Sequence, residues 1–559
     1  MLRRSRSPAG VHPPPSSSVV IAALLRDTAS APNGCQTPIA ADEQGHAMNV
    51  FLVFIQDENY YRLLPDGFLG SCSDDGRVKV MGFPPLSIQT LAPVLRRRGH
   101  SVRLFDTCHP QMKAAHIAAC AAQVKPDAIG LSFLSTTTYP ATKEVARQLK
   151  AVAPRTPVIV GGPFATFNGR QIMEDCGDID AVGVGEGEEL LADYLDHLSA
   201  PSAVAGLIWR DRDRVVTNAP RPLLADLDQY PYPDRTSLPI DYIESLPLDV
   251  PAVLSLDKFC TIQTSRGCPY NCVFCDIPSL SDGRWRTRSP EHVLGEMQEL
   301  NNAGYRSIYL TDDHFLLQRQ RIGTICSGIV QRNLRFRWGC EGRVDAAAID
   351  QFPGMARAGC SFLAFGIEAG TQKVLDRLNK KQTLAQVTRA VSEAKRHGIE
   401  RAHGFFVIGS PEETEADILE SFRFAARLEL DTFGFNRLCV YRGTPLWEEY
   451  IERGVINDAR DWHKWFKCSD IDPTVLPSAV LNRLRMKGYA LLFARRLLGR
   501  PIQTLKLLRS LSRHMKKSDV LRLLTSPFRR RRLTRKPELP AKMTDSGLTE
   551  PVRGQALIT

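Results

Sequence analysis

At 559 residues and 43% hydrophobic, the chain is long enough for about three or four domains with buried cores. Its 14 cysteines are dispersed, which argues against a disulfide scaffold and for a reducing, cytoplasmic compartment; no apolar run reaches the ~18 residues of a membrane span. The net charge of +11 is local: Arg483 to Lys536 holds 18 Lys and Arg against the single acid Asp519, so that stretch is +17 and the remainder −6.

Residues 1–47 read as a disordered extension. Arginines precede the apolar "VVIAALL", but that run is short and follows a triple proline, which makes a poor signal peptide. From Met48 to about residue 200, strand and helix alternate. "NVFLVFI" (49–55), "SVRLFD" (101–106), "DAIGLSFL" (127–134), "TPVIVGG" (156–162) and "DAVGVG" (180–185) are strand-like. "LAPVLRRRGH" (91–100) and "TKEVARQLKAVAP" (142–154) have helical spacing and end at glycine or proline. Apolar strands separated by helices predict an α/β, Rossmann-like, doubly wound parallel sheet, with its ligand at the carboxyl ends of the strands. Residues 201–255 are rich in Pro and Asp and read as a linker. From 256 to 455 the rhythm resumes through "RSIYLTDDHF", "FRWGCEGRVD", "CSFLAFGIEAG", "RAHGFFVIGSP" and "DTFGFNRLCVY". About six such units predict a partial (β/α)6 barrel, with chemistry at the strand C-termini. Residues 456–559 read as a basic helical region and a disordered tail.

The stretch "TSRGCPYNCVFCDIP" (264–278) places Cys268, Cys272 and Cys275 on a loop after the first barrel strand. Disulfides consume cysteines in pairs, and a structural zinc takes four ligands. Three thiolates suit three corners of a [4Fe–4S] cluster and leave one iron open. The competing reading is a zinc site completed by Cys260. Cys260, Cys326, Cys340 and Cys360 lack the loop spacing.

The C-x3-C-x2-C run, with the aromatic Phe274 just before its last cysteine, resembles the radical SAM superfamily. In that family the open iron chelates the amino and carboxylate groups of S-adenosylmethionine (SAM). An electron from the cluster then releases a 5′-deoxyadenosyl radical. By the same resemblance, Asp312 and Asp313 of "YLTDDHF" lie near the SAM amino group, and Arg343 of "EGRVD" pairs with the SAM carboxylate. The G-I-E-x-G stretch, Gly366 to Gly370, brings Glu368 near the ribose. Gly409, Pro411 and Glu413 form the G-x-P-x-E-T turn.

The region in front resembles the cobalamin-binding domain that precedes the barrel in one large subfamily. "PPLSIQTLAPVLRRRGHSVRLFD", "DAIGLSF", "VIVGGPFAT" and "DAVGVGEGEE" carry that likeness. It implies that Ser132, Gly161 and Gly162 lie along the corrin's nucleotide tail, where glycine lets the backbone approach closely. The D-x-H-x-x-G motif, whose histidine ligates cobalt in many such domains, is missing, and His109 follows the wrong strand. The expectation is cobalamin without a histidine lower ligand from that motif.

Together these resemblances imply a cobalamin-dependent radical SAM enzyme that methylates an unactivated carbon of a small-molecule or lipid-like substrate. One SAM would supply the radical, a second would methylate cobalamin, and cobalt would hand the methyl group on. The alternative is an oxidative cyclase or ring-rearranging enzyme of tetrapyrrole or natural-product biosynthesis, without methyl transfer. A cobalamin sensor or a tRNA-binding protein is a third class; intact cluster cysteines argue against the sensor, and no RNA-binding domain is legible. An external electron donor such as flavodoxin or ferredoxin is implied. For the basic stretch 483–536 the readings are a solvated cap on the barrel or a peripheral contact with an anionic membrane, with nucleic acid not favoured. No motif names the substrate or a catalytic residue.

Overall fold

The computed structural model describes residues 47–56, 77–109, 112–243, 258–345, 348–464, 466–472 and 475–499. The expected extension over 1–46 and the basic tail beyond Gly499 lie outside the described residues. Two parallel sheets organise the chain. The first contains β1 (Asn49–Phe54), β3 (Ser101–Asp106), β4 (Ala128–Ser132), β5 (Val158–Gly161) and β6 (Ala181–Gly183); β2 (Val78–Met81) lies apart. The strand order is β3-β1-β4-β5-β6 with every pairing parallel. The connections run through α1 (Leu86–Arg97), α2 (Ala114–Val124), α3 (Tyr139–Val152) and α4 (Pro163–Asp175), and α5 (Gly187–Asp196) follows β6. The order reverses between β1 and β4, which opens a crevice beyond their carboxyl ends.

The stretch read as a linker has more structure than its composition suggests. β7 (Leu207–Asp211) and β8 (Arg214–Thr217) form a hairpin that extends the first sheet antiparallel to β6. β9 (Ile240–Ile243) pairs with β2. Between them, Asp234 accepts from Arg96 at 2.6 Å, and Arg235 reaches the buried Glu296 of the second domain at 2.6 Å. Prolines interrupt helix and long strand there, but they do not prevent short edge strands or side-chain anchors.

The second sheet runs β10 (Phe259–Ile262), β11 (Ser307–Leu310), β12 (Arg337–Gly342), β13 (Cys360–Glu368), β14 (Arg401–Ile408) and β15 (Thr432–Arg437) in chain order. All five pairings are parallel, so it is a six-stranded partial barrel. Its helices are α6 (Pro290–Asn302), α7 (Arg319–Gln331), α8 (Phe352–Arg357), α9 (Leu384–Arg396) and α10 (Glu415–Arg427). Of these, α7 is not anticipated by the sequence reading. Local signals fix the starts: Ser289 caps α6 with Pro290 behind it, and Thr383–Gln386 and Thr414–Asp417 form capping boxes.

Alternation sorts β13 into two faces. Leu363, Phe365 and Ile367 enter the core under the helices. Phe362 and Ala364 face the lumen and join a cluster containing Phe259, Tyr309 and first-domain core residues. Phe83, which precedes α1, bridges the two domains, its ring 6.2 Å from Phe259 and 5.9 Å from Tyr309. Finally, α11 (Ser478–Gly499) buries Leu481, Leu484 and Leu492 in the barrel core. The described part of the basic region is therefore a cap on the barrel. Among the described residues no helix is long and apolar enough to cross a membrane.

Candidate active site

The three-cysteine loop leaves the end of β10, and two aspartates at the end of β11 hold its stem. Asp312 is buried and accepts from the Thr264 amide (2.6 Å), the Thr264 hydroxyl (2.5 Å) and the Ser265 hydroxyl (2.6 Å). Asp313 accepts from the Gly267 amide at 2.7 Å. Gly267 has φ +88°, and a Cβ there would sit 2.0 Å from the Arg284 carbonyl, so the turn into Cys268 requires glycine. Asp313 is reachable by solvent yet ringed by protein; burial, then the charges of Asp312 and Asp276, push its carboxyl up to about 6.

Cys272 is buried, Cys268 and Cys275 are half-buried, and all three are free. Burial raises the Cys268 thiol and pushes Cys275 up to about 12, the neighbouring cysteines adding to both shifts. Such thiols shed their protons when a cation binds them. Cations stand ready: the Arg343 Nη1 lies 3.6 Å from the Cys272 sulfur. Its guanidinium covers the Tyr270 ring at 3.8 Å and is forked onto Asp345 at 2.8 and 2.9 Å.

Beyond it, the Lys380 ammonium meets Glu368 at 2.7 Å, both buried. Burial works against the ammonium, but Glu368 and then Cys272 more than offset it, so Lys380 ends above the ordinary lysine value. A Cβ on Gly366 would come within 2.6 Å of the Glu368 carboxylate and 2.9 Å of the Lys380 nitrogen, so this glycine makes room for the pair. Glu368 itself has φ +67°, a strained conformation for a residue with a side chain.

His314 is fully buried between these groups, its ring 5.8 Å from Tyr270, and neither ring nitrogen has a hydrogen-bond partner. An orphaned buried imidazole packed against Tyr270 of the cysteine loop, within reach of the charges of Arg343 and Lys380, fits a site that receives a further polar group. Among the described residues no three Cys, His, Asp or Glu side chains converge on a single-ion site. Cys260 faces the helix core instead, beside a void of about 10 Å³ that holds at most one water. The zinc reading therefore finds no geometry to rest on.

The structure thus gathers Asp312, Asp313, Arg343, Gly366 and Glu368 around the loop, but several are already engaged. Asp312 braces the stem, and the Arg343 fork is taken up by Asp345. Tyr270, His314 and Lys380 were not singled out by the sequence, although Tyr270 lies inside the cysteine loop and His314 directly follows Asp313; Lys380 comes from a distant loop whose spacing gives no signal.

In the first domain, Ser132 ends β4 and Gly161 ends β5, at the crevice side of the sheet. Ser132 shares a 2.8 Å hydrogen bond with Ser87 of α1. Gly162 has φ +115°, and a Cβ there would lie 2.2 Å from the Phe133 carbonyl. Gly161 has no such close neighbour, its nearest being 4.0 Å away, so the second glycine carries the constraint. This cradle of close-approaching backbone fits a bulky ligand's tail. His109 is buried in the turn after the edge strand β3, a turn that Thr107 ties to Phe54 and Gln56 at the end of β1; residues 57–76 lie outside the described residues.

The two sites are tied together. Glu186, at the start of α5, accepts from Arg266 (2.8 Å) and Arg286 (2.8 Å), and Glu188 accepts from Arg266 at 2.6 Å. Arg266 stands two residues before Cys268. Burial disfavours the Glu186 carboxylate, but the two arginines and the Leu224 amide outweigh it and keep its pKa below the usual glutamate value. The sequence held a hint in "GEGEE" and "SRGC", but not the pairing.

A cysteine-loop barrel coupled to a glycine-cradled parallel sheet defines a cobalamin-type radical SAM protein. Residues 262–425 match the Radical SAM superfamily and residues 80–195 the B12 binding domain. The chain is 32% identical over 420 residues to the uncharacterized methyltransferase PH0819 of Pyrococcus horikoshii, covering 74% of this chain and 88% of that protein. It is 25% identical over 426 residues to the anaerobic magnesium-protoporphyrin IX monomethyl ester cyclase of Cereibacter sphaeroides, covering 74% and 67%. Its fold resembles that of the cobalamin-dependent radical enzyme OxsB, solved with aqua-cobalamin and S-adenosylmethionine bound. There the TM-score is 0.63 at 18% identity, over 86% of this chain and 70% of that one. The chain belongs to the B12-binding radical SAM family, whose cofactors are a [4Fe–4S] cluster, SAM and cobalamin.

Proposed function

We propose that this protein methylates an unactivated carbon of a small molecule, using those three cofactors. When bound, they supply a carbon-centred radical and a methyl group carried on cobalt. The clamp from Glu186 and Glu188 to Arg266 carries this reading, because it fixes the cluster loop to the domain that would hold cobalamin. Cys268, Cys272 and Cys275 would hold the cluster, and Arg343 and Lys380 balance their thiolate charge. Asp313, beside the Gly267 turn, would accept a hydrogen bond from the SAM amino group, and Glu368 from the ribose. Ser132, Gly161 and Gly162 would follow the corrin's tail. In the lumen, Tyr309 donates to Glu341 at 2.6 Å, a polar pair that can orient a substrate among apolar neighbours. The methyltransferase name of the 32% relative supports methylation over cyclisation.

The test is anaerobic turnover with methyl-labelled SAM, flavodoxin or ferredoxin as donor, and panels of small-molecule acids, lipids and tetrapyrroles. Label in a product is expected. A new product that lacks label while SAM is cleaved would establish the cyclase or rearrangement alternative instead.

A further inference from the structure

The helix α11 caps the barrel with one face only. Leu481, Leu484 and Leu492 enter the barrel core. A Cβ on Gly488 would lie 2.2 Å from the Phe422 ring, so that side is pressed against α10. The last turns carry a second apolar stripe on the opposite side. Ala490, Phe493, Ala494 and Leu497 recur at the i, i+3, i+4, i+7 spacing of one helix face, and all four are exposed. Leu491 and Leu498 flank them; Phe493 is 46% and Leu498 84% exposed. A helix that only capped the barrel would be polar on that side.

The charge around this stripe has one sign. α11 contains no Asp or Glu. Arg483 reaches Glu415 at 3.5 Å, while Lys487 and Arg495 are exposed and make no ion pair among the described residues. Arg500 to Lys536 continues with 13 Lys and Arg against Asp519 alone. A second copy of the chain would bring the same positive charges to the contact, and so would the chain's own next segment. Nucleic acid supplies phosphates but no apolar phase for Leu497 and Leu498. An anionic bilayer supplies both, acyl chains for the stripe and phosphate headgroups for the cations beside it. We infer that the outer face of α11 docks on an anionic membrane surface, with Phe493, Leu497 and Leu498 entering the interface and Lys487 and Arg495 meeting the headgroups. The contact is peripheral and reversible, and it does not depend on which reaction the active site performs.

The experiment mixes the full chain, reconstituted anaerobically, with vesicles of phosphatidylcholine alone or with phosphatidylglycerol added, and reads bound protein by co-sedimentation. Binding to the anionic vesicles only is expected, weakened as salt is raised. Phe493→Ser/Leu497→Ser should lower that affinity by about tenfold or more, because it removes the apolar anchors. Lys487→Gln/Arg495→Gln should lower it by about tenfold and flatten its salt dependence. Both variants change exposed side chains, so iron content and melting temperature should match wild type. Binding to neither vesicle, or equally to both, would overturn the inference. Anionic binding unchanged in Phe493→Ser/Leu497→Ser would also overturn it and assign the contact to the residues beyond Gly499. A wild-type dimer in sedimentation equilibrium that this variant loses would make a second copy the occupant. An RNA oligonucleotide that strips the protein from vesicles, and binds the serine variant as tightly as wild type, would make it nucleic acid.

Discussion

The strand ends of the two parallel sheets, where each would receive its ligand, are built of opposite materials. The first sheet offers backbone: Gly161, Gly162 and the small Ser132, without an ion pair among them. The barrel offers charge: Asp312, Arg343, Glu368 and Lys380 are all buried at its strand ends. The contrast teaches that a strand end can be shaped by backbone alone, where a Cβ at Gly162 would meet the Phe133 carbonyl. Three thiolates and a zwitterion would need cations and carboxylates, whose burial is costly and is offset by their pairing with one another. At the strand ends, Gly162 meets backbone in one sheet, while in the other Gly366 makes room for an ion pair.

The sharpest way to break the comparison is a crossed pair of substitutions. Replacing Cys268, Cys272 or Cys275 by Ala should abolish SAM cleavage and reduce iron, with cobalamin content retained. Gly162→Ala should do the reverse, losing most bound corrin while iron is kept, because its Cβ meets backbone that cannot move aside. Metal analysis and the corrin absorption of the same preparations decide; a cysteine variant with full iron and full cleavage, or Gly162→Ala with wild-type corrin, contradicts the division of labour.

A smaller effect should follow from cutting the bridge between the sheets. Glu186→Gln with Glu188→Gln leaves Arg266 without its carboxylates at a site only 21% exposed. Removing a partner from such a buried pair costs about 3–5 kcal/mol, enough to loosen the cluster loop. Iron and corrin contents should hold while product falls by about tenfold or more relative to 5′-deoxyadenosine. An unchanged ratio would mean that the domains are positioned without this clamp.

The smallest effect concerns pH. His403 starts the lumen face of β14, shares 2.8 Å with the Thr432 hydroxyl through Nδ1, and has no partner for Nε2. Burial pushes its pKa down to about 4 from the ordinary 6.5. The unfolded chain therefore takes up a proton that the native state refuses. Stability from this group is full above pH 6.5 and is lost as pH falls toward 4, by up to about 1.4 kcal/mol per pH unit. His314, also held near 4, adds a loss of the same sign. Urea titrations at pH 7 and 5.5 should show His403→Asn losing about 1 kcal/mol less than wild type; equal losses would remove His403 as a source of the acid sensitivity.

Much was legible in the chain because much of it is local. Period-two and helical patterning gave both α/β sheets, and the C-x3-C-x2-C spacing gave the cluster loop, since all three ligands sit within eight residues. Gly162 and Glu368 stood out because a turn chemistry or motif marks them where they lie. The 201–255 stretch misled for a physical reason: its hairpin and its anchors gain their stability from β6, Arg96 and Glu296, none of which is near in sequence. The same holds for what only the tertiary structure decided. Arg343 reaches Cys272 across 71 positions, His314 packs against Tyr270 of the cysteine loop, and Arg266 meets Glu186 and Glu188 across 80 and 78 positions. Charges act through space and not along the chain, so which of them face one another is settled only when strands and helices from distant segments pack.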